Sequence, residues 1–285
     1  MTRSDDLVAK RKWYAEGLRW SAMLNSKRLI EAFSIVPREQ FLGSGPWLIR
    51  GPMQFKRGYT QTNDSDPRHL CHDVLVAIDS KRNLNNGQPS FLAGLIQLLN
   101  LRAGQTICHI GCGTGYYSAI MAELVGPTGR VIGVEVDDEL AQLATKNLNP
   151  YKQVEVVIAD GFDYDPGRVN AILVNAGVNH ISAVWLKALR AKGRMVLPMT
   201  LANQSGGILK IVRTGRNWQA RFASGVGMFP CIGGRDGKAE KKLETAFKGG
   251  GAYEVRSLRL DRHRRSNQCW LHGEYTCLSR RPWKN

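Results

Sequence analysis

Nowhere in its 285 residues does the chain hold an apolar run close to the roughly 18 residues that a membrane-spanning helix needs. Its first residues, MTRSDDLVAKRKWYAEG, lack the apolar core of an export signal. No membrane association is therefore expected, and the protein is placed in the cytoplasm. Cysteine is sparse. The six present, Cys71, Cys108, Cys112, Cys231, Cys269 and Cys277, form no CxxC pair and show no metal-ligand spacing. That pattern suits reduced, mostly buried thiols in a reducing compartment, and no metal is expected. Cys269 and Cys277 are spaced to face each other across a hairpin, but packing is their default role. No internal repeat is visible, and no Ser/His/Asp or Cys/His set suggests nucleophilic catalysis.

What remains is an ordinary globular composition: 43% hydrophobic and 22% charged residues in a chain long enough to bury a sizeable core. The formal net charge of +16 is unevenly spread. Residues 101–200 carry as many acidic as basic side chains, whereas both flanks are basic. Basic flanks suit an acidic or phosphate-bearing partner, or simply a solvated surface. Nucleic acid is thus a secondary candidate rather than the favoured one.

Residues 5–36 read as one or two amphipathic helices, with Trp13, Leu18, Trp20, Met23 and Leu24 near helical spacing and Pro37 as the stop. This stripe is expected to pack in the core. From Gly43 to Gly87 the chain is punctuated by Gly, Pro, Asn and Asp, which predicts loops and a substrate-side region. Ser90 to Leu99 returns to helical periodicity. Beyond Thr106 short β-rich runs (TICHI, RVIGVEV, VEVVI, AILVN, RMVLP) alternate with helical ones, the signature of βαβ units on a mostly parallel sheet. After Thr200 strands and hairpins with Gly-rich turns take over. The expected fold is α/β: a Rossmann-like sheet with helices on both faces, an N-terminal helical segment and a C-terminal antiparallel β extension. Three regions follow: 1–100, helical and loop-rich; 101–234, a ligand-binding α/β domain; and 235–285, a basic β-rich extension.

The first strand of that domain runs into Gly111-Cys112-Gly113-Thr114-Gly115-Tyr116 directly before a helix. Glycines there let the backbone turn tightly and a ligand approach closely. The second strand ends in Glu135-Val136, about 20 residues on, where a carboxylate accepts hydrogen bonds from ribose hydroxyls. A third presents Asp160-Gly161 at its end, suited to an adenine amino group, and the fourth ends at Asn175. Ligands of open α/β sheets bind beyond the carboxyl ends of the strands, where all of these residues fall. The loop reads GxGxG rather than GxGxxG, and the alternation stops near Pro198 before a second mononucleotide half is built. S-adenosylmethionine is therefore favoured over a nicotinamide dinucleotide. Gly111, Cys112, Gly113, Gly115, Tyr116, Glu135, Val136, Asp160, Gly161 and Asn175 are its expected contacts.

The run ICHIGCGTGYYSAIMAELVGPTGRVIGVEVDDELAQLATKNL, followed by ADG, by AILVNAGVNHISAVWLKALRAKGRMVLPM and by FPCIGG, resembles the protein L-isoaspartate O-methyltransferase family across roughly residues 85–235. The resemblance implies an S-adenosylmethionine-dependent class I methyltransferase acting on an acidic side chain of a protein or peptide. Upstream, Asn86-Gly87-Gln88-Pro89-Ser90 resembles the family's Ser-Gln-Pro active-site segment, which borders cofactor and substrate carboxylate. Gly87 stands where the family has its functional serine. Asn86, Gln88 and Ser90 are accordingly the candidate catalytic residues, with a helix-capping role as the alternative for Ser90. The acceptor is open to alteration on the same ground. Were it a hydroxyl or amine, His69, His72 and His180 would be the candidate bases. Two further readings stand beside this one: an RNA or other N/O-methyltransferase using the basic flanks, although the (N/D)PP(Y/F) signature is absent, and a non-catalytic cofactor-binding protein.

Overall fold

A computed structural model describes residues 3–52 and 58–282. Residues 53–57, inside the stretch read as loop, lie outside them. Among the described residues no helix is long and apolar enough to cross a membrane. The chain divides into two compact units: residues 1–104, 112–131 and 137–156 in one, residues 105–111, 132–136 and 157–285 in the other.

The first unit opens with helices α1 (Arg3–Ser21) and α2 (Lys27–Ile35). Ser26 starts α2 by accepting the Leu29 N–H, and Pro37 follows its end. A small antiparallel sheet comes next, from strands β1 (Leu48–Arg50), β2 (Thr60–Gln61), β3 (Leu75–Asp79) and β4 (Leu84–Asn85) in the order β2-β1-β3-β4. Helix α3 (Pro89–Leu99) closes the segment, with Pro89 at its first position, where the missing N–H is no loss. The predicted stripe on α1 needs correction. Leu18 and Leu24 are buried, but Trp13, Trp20 and Met23 are 76%, 69% and 75% exposed. The face α1 buries is Tyr14, Ala15 and Leu18, whose 3–4 spacing packs against α2 and α3.

From β5 (Thr106–Ile110) the alternation appears as expected: α4 (Tyr116–Val125), β6 (Arg130–Glu135), α5 (Asp138–Leu148), β7 (Val154–Ile158), β8 (Val169–Val174), α6 (Ala183–Ala188) and β9 (Leu189–Thr200). Strands β10 (Ser205–Thr214) and β11 (Asn217–Gly227), helix α7 (Gly237–Lys248), and strands β12 (Ser257–Arg259), β13 (Cys269–His272) and β14 (Cys277–Ser279) complete the chain. The sheet has ten strands in the order β13-β14-β12-β11-β10-β9-β8-β5-β6-β7. Strand β8 pairs parallel with both β5 and β9, whereas β9 to β14 pair antiparallel, so the C-terminal extension continues the same sheet. Within the second unit the core is a buried cluster that includes Ile110, Ile172, Trp185, Leu197, Leu209, Phe222 and Trp270.

Strand order fixes where a ligand can enter. From β5 the chain moves outward to β6 and β7, then returns to place β8 on the opposite side of β5. The two crossovers leave in opposite directions, and in open α/β sheets a ligand binds at such a reversal, beyond the carboxyl ends of the strands.

Candidate active site

In the second unit, Gly111 and Asn175 follow those two strand ends. Asn175 donates its backbone N–H to the Ile110 carbonyl at 2.8 Å and its amide Nδ2 to the Gly111 carbonyl at 3.4 Å. Gly111 donates in turn to the Val134 carbonyl of β6 at 2.8 Å. Its φ of +72° favours glycine here, although an added Cβ would meet the Asn175 carbonyl oxygen only at an ordinary contact distance of 3.4 Å. Glu135 ends β6 with only 8% of its surface exposed, and one of its carboxylate oxygens accepts the Val136 N–H at 3.0 Å. Val136 itself is partly exposed. The Ala159 N–H bonds the Glu135 carbonyl at 3.0 Å, which sets the ends of β6 and β7 side by side with Asp160 next in line. Asp160 Oδ1 accepts the Phe162 N–H at 2.9 Å, locking the turn.

Gly161 is required by packing: an added Cβ would run into the Ile110 side chain at the end of β5. Its carbonyl takes the Trp185 indole N–H at 2.9 Å. A neighbour that the sequence reading quoted but did not single out is Gly233, with φ +76°, whose Cβ would overlap the Asp160 carboxylate. Only glycine lets the 229–234 segment close over that aspartate. Burial, together with the Asp160 charge, pushes the nearby Cys231 thiol up to about 11, so it packs as a neutral group.

The glycine loop continues in the first unit. Gly113 has φ +56° and open space where a Cβ would be, and Gly115, at φ +95°, caps α4. A Cβ on Gly115 would lie 2.7 Å from the Leu148 side chain of α5, so this glycine permits the two helices to approach. Cys112, between Gly111 and Gly113 in sequence, is buried. Tyr116 is 1% exposed, and its ring packs on Phe33, Phe41 and Tyr117 with centroids 5.0–6.2 Å apart. Whatever Tyr116 offers a ligand comes from its main chain, because its side chain belongs to the core.

The Asn86–Ser90 segment is held by Arg38, which the sequence reading passed over, and by Asp73, the neighbour of the candidate base His72. Arg38 is 2% exposed, and it donates to the carbonyls of Leu70 (3.2 Å), His72 (3.1 Å) and Val74 (2.7 Å) and to the Asn86 Oδ1 (3.3 Å). Asp73 accepts the Gln88 Nε2 at 3.1 Å and the Ser90 N–H at 2.8 Å. Gln88 is the N-cap residue of α3 and makes no side-chain cap bond, so Asp73 caps the helix from outside. The alternative role given to Ser90 thus passes to Asp73. The Ser90 hydroxyl lies 3.5 Å from the Gln88 amide. Asn85 receives the Gly87 N–H at 2.9 Å, and Gly87, at φ +77°, gives its carbonyl to the Tyr117 hydroxyl at 3.1 Å.

Of the candidate bases, His69 pairs with Asp64 at 2.8 Å. His72 borders a cavity of about 720 Å³ with Trp13, Tyr14, Arg68, His69 and Asp73. His180 packs at a tilt against Phe162 and bonds Asn179 at 2.9 Å, with burial lowering its pKa.

A reversed-order α/β sheet, a left-handed glycine loop after its first strand and acidic residues closing the next two define a class I S-adenosylmethionine-dependent methyltransferase. Within the second unit the residues present fit that cofactor's ribose and adenine: Glu135 and Asp160 are held as acceptors at adjacent strand ends. The family model for protein-L-isoaspartate(D-aspartate) O-methyltransferase (PCMT) matches residues 70–231, and the chain belongs to that family. It is 32% identical over 212 residues to the protein-L-isoaspartate O-methyltransferase of Methanothrix thermoacetophila, covering 73% of this chain and 89% of the relative. Against protein-L-isoaspartate O-methyltransferase 1 of Archaeoglobus fulgidus, identity is 35% over 145 residues, 47% of this chain and 67% of the relative. A solved protein-L-isoaspartate O-methyltransferase superposes with a TM-score of 0.62 at 22% identity, covering 87% of this chain and 72% of the other. A crystal structure described as a Plasmodium falciparum beta-aspartate methyltransferase with S-adenosyl-L-homocysteine gives 0.61 at 16% identity, covering 78% and 97%.

Proposed function

We propose that the chain transfers a methyl group from S-adenosylmethionine to a carboxylate of a protein or peptide, of the isoaspartyl type. In this reading residues 1–100 supply the acceptor side and 101–234 the cofactor domain. Glu135 would hold the ribose hydroxyls and Asp160 the adenine amino group. The Gly111–Gly115 backbone would line the rest, with Val136, Gly161 and Asn175 beside it. When bound, the cofactor supplies an electrophilic sulfonium methyl group.

The observation that carries the acceptor assignment is Arg38. It is a buried guanidinium whose four described hydrogen bonds all end on neutral oxygens, one of them in Asn86. Among the described residues it forms no ion pair, and an anionic acceptor near Asn86–Ser90 would be favoured by its charge. A carboxylate is already ionised at neutral pH and needs no general base. Asn86 and Gln88 then act as neutral donors that orient it, and the chemistry reduces to alignment and exclusion of water. Such a role matches amides held by Arg38 and Asp73 rather than free to rotate.

The test is incubation of the purified protein with methyl-labelled S-adenosylmethionine and, in turn, an isoaspartyl peptide, its ordinary aspartyl counterpart and RNA. Base-labile label on the isoaspartyl peptide is expected. Label that appears only on the aspartyl peptide would shift the acceptor, and label in RNA would overturn the reading. Binding of the cofactor with no transfer to any acceptor would leave a cofactor-binding protein without turnover.

A further inference from the structure

We propose that His263, Cys269, His272 and Cys277 form a structural zinc site in the C-terminal extension. One ligand atom from each lies within 4.8 Å of all the others. No CxxC pair announces the site, because the ligands alternate as H-x5-C-x2-H-x4-C.

Backbone geometry explains how the four meet. Residues three apart on a regular strand face opposite sides, yet Cys269 and His272 of β13 turn to the same one. The register against β14 slips between Cys269, which pairs with Ser279, and Leu271, which pairs with Leu278. This inserted residue restores the shared face. His272 then lies directly opposite Cys277. His263 arrives from the loop after β12, with its ring 4.9 Å from that of His272 and its Nε2 3.5 Å from the Cys269 sulfur.

The surroundings are those of a ligand set. His263 Nδ1 is 2.9 Å from the Asp261 carbonyl, so this nitrogen carries the proton and leaves Nε2 a lone pair toward the cluster. His272 Nδ1 is buried and has no hydrogen-bond partner among the described residues. The Ser266 N–H points at the Cys269 sulfur at 3.4 Å, with its hydroxyl at 3.7 Å. Two imidazoles and two thiolates match the tetrahedral preference of zinc, and four protein ligands leave no open position for catalysis. Two thiolates also balance the charge of the ion, so the site adds nothing to the already basic extension. Its effect is to tie the 261–268 loop to β13, the outer edge strand of the ten-stranded sheet.

The full-length protein, purified without chelator, should carry one zinc per chain by elemental mass spectrometry. Exchange into cobalt(II) should give the thiolate charge-transfer and d–d bands of a tetrahedral sulfur-ligated ion. Cys277→Ser and His272→Gln should each lower zinc content at least about tenfold while S-adenosylmethionine binding persists, which shows that the α/β domain is folded. In the unsubstituted protein, chelation should lower the unfolding temperature and added zinc restore it, a readout that does not depend on the variants folding. Absence of both zinc and a cobalt spectrum would overturn the proposal. So would a Cys269–Cys277 disulfide in peptide mapping, or zinc content unchanged in both variants.

Discussion

Asp73 accepts the Ser90 main-chain N–H at 2.8 Å and the Gln88 side-chain amide at 3.1 Å, and so caps α3 across a gap in sequence that no local motif spans. One carboxylate thereby sets both the start of the helix and the orientation of Gln88. Asp73→Ala removes both bonds, and the loss of a cap costs about 1–2 kcal/mol. Denaturant unfolding should register that loss. Methyl transfer should fall further than stability explains, through a raised KM for the acceptor. An unchanged KM would separate the cap from the site.

Glu135 ends β6 almost fully enclosed, with its carboxylate steadied by the Val136 N–H. Charge-assisted hydrogen bonds to a ribose are worth about 1.5–3 kcal/mol, so Glu135→Ala should weaken S-adenosylmethionine binding roughly 10- to 100-fold. Calorimetric titration measures it. An unaltered Kd would remove Glu135 from the cofactor site.

Gly87→Ser places at this position the residue type that the family's active-site segment resembles. Here the backbone is at φ +77°, and a new Cβ would fall 2.9 Å from Leu92 of α3. Left-handed strain and the contact together should destabilise the protein by about 1–3 kcal/mol. No gain in isoaspartyl methylation is expected from the hydroxyl. A variant as stable as the parent and more active would show that the segment adjusts to admit serine.

His109 lies fully buried in β5, and burial lowers its pKa to about 3. The sign follows from linkage: the unfolded chain binds this proton below about pH 6.5 while the folded one does not, so stability is lost as pH falls. Between about pH 6.5 and 3 the group alone steepens that loss by up to about 1.4 kcal/mol per pH unit. His109→Gln should flatten the slope between pH 6 and 4 in urea titrations. An identical slope would assign the acid sensitivity elsewhere.

How much of this was legible before the fold was known depends on the range of each interaction. The alternation from TICHI to RMVLP, the glycines at 111, 113 and 115 and the acidic strand ends are local signals, because strand and helix periods and tight turns are set by neighbours in sequence. They located Gly111, Glu135, Asp160 and Asn175 at the strand ends that the structure displays. Long-range partners left no such trace. Arg38 reaches Asn86, Gly233 sits on Asp160, and the ring of Tyr116 turns into an aromatic core. None of these pairings has a period or a fixed spacing.

The sequence by itself determined the α/β class, the strand ends that carry Glu135 and Asp160, and the family, since each rests on residues adjacent along the chain. Tertiary structure alone decided which face of α1 is buried, what caps α3, and that His263 of the preceding loop meets His272 and two cysteines of the C-terminal hairpin. The physical reason is common to all three. A helix face, a distant carboxylate and a strand bulge acquire meaning only when another element is packed against them, and nothing in the local spacing records which element that will be.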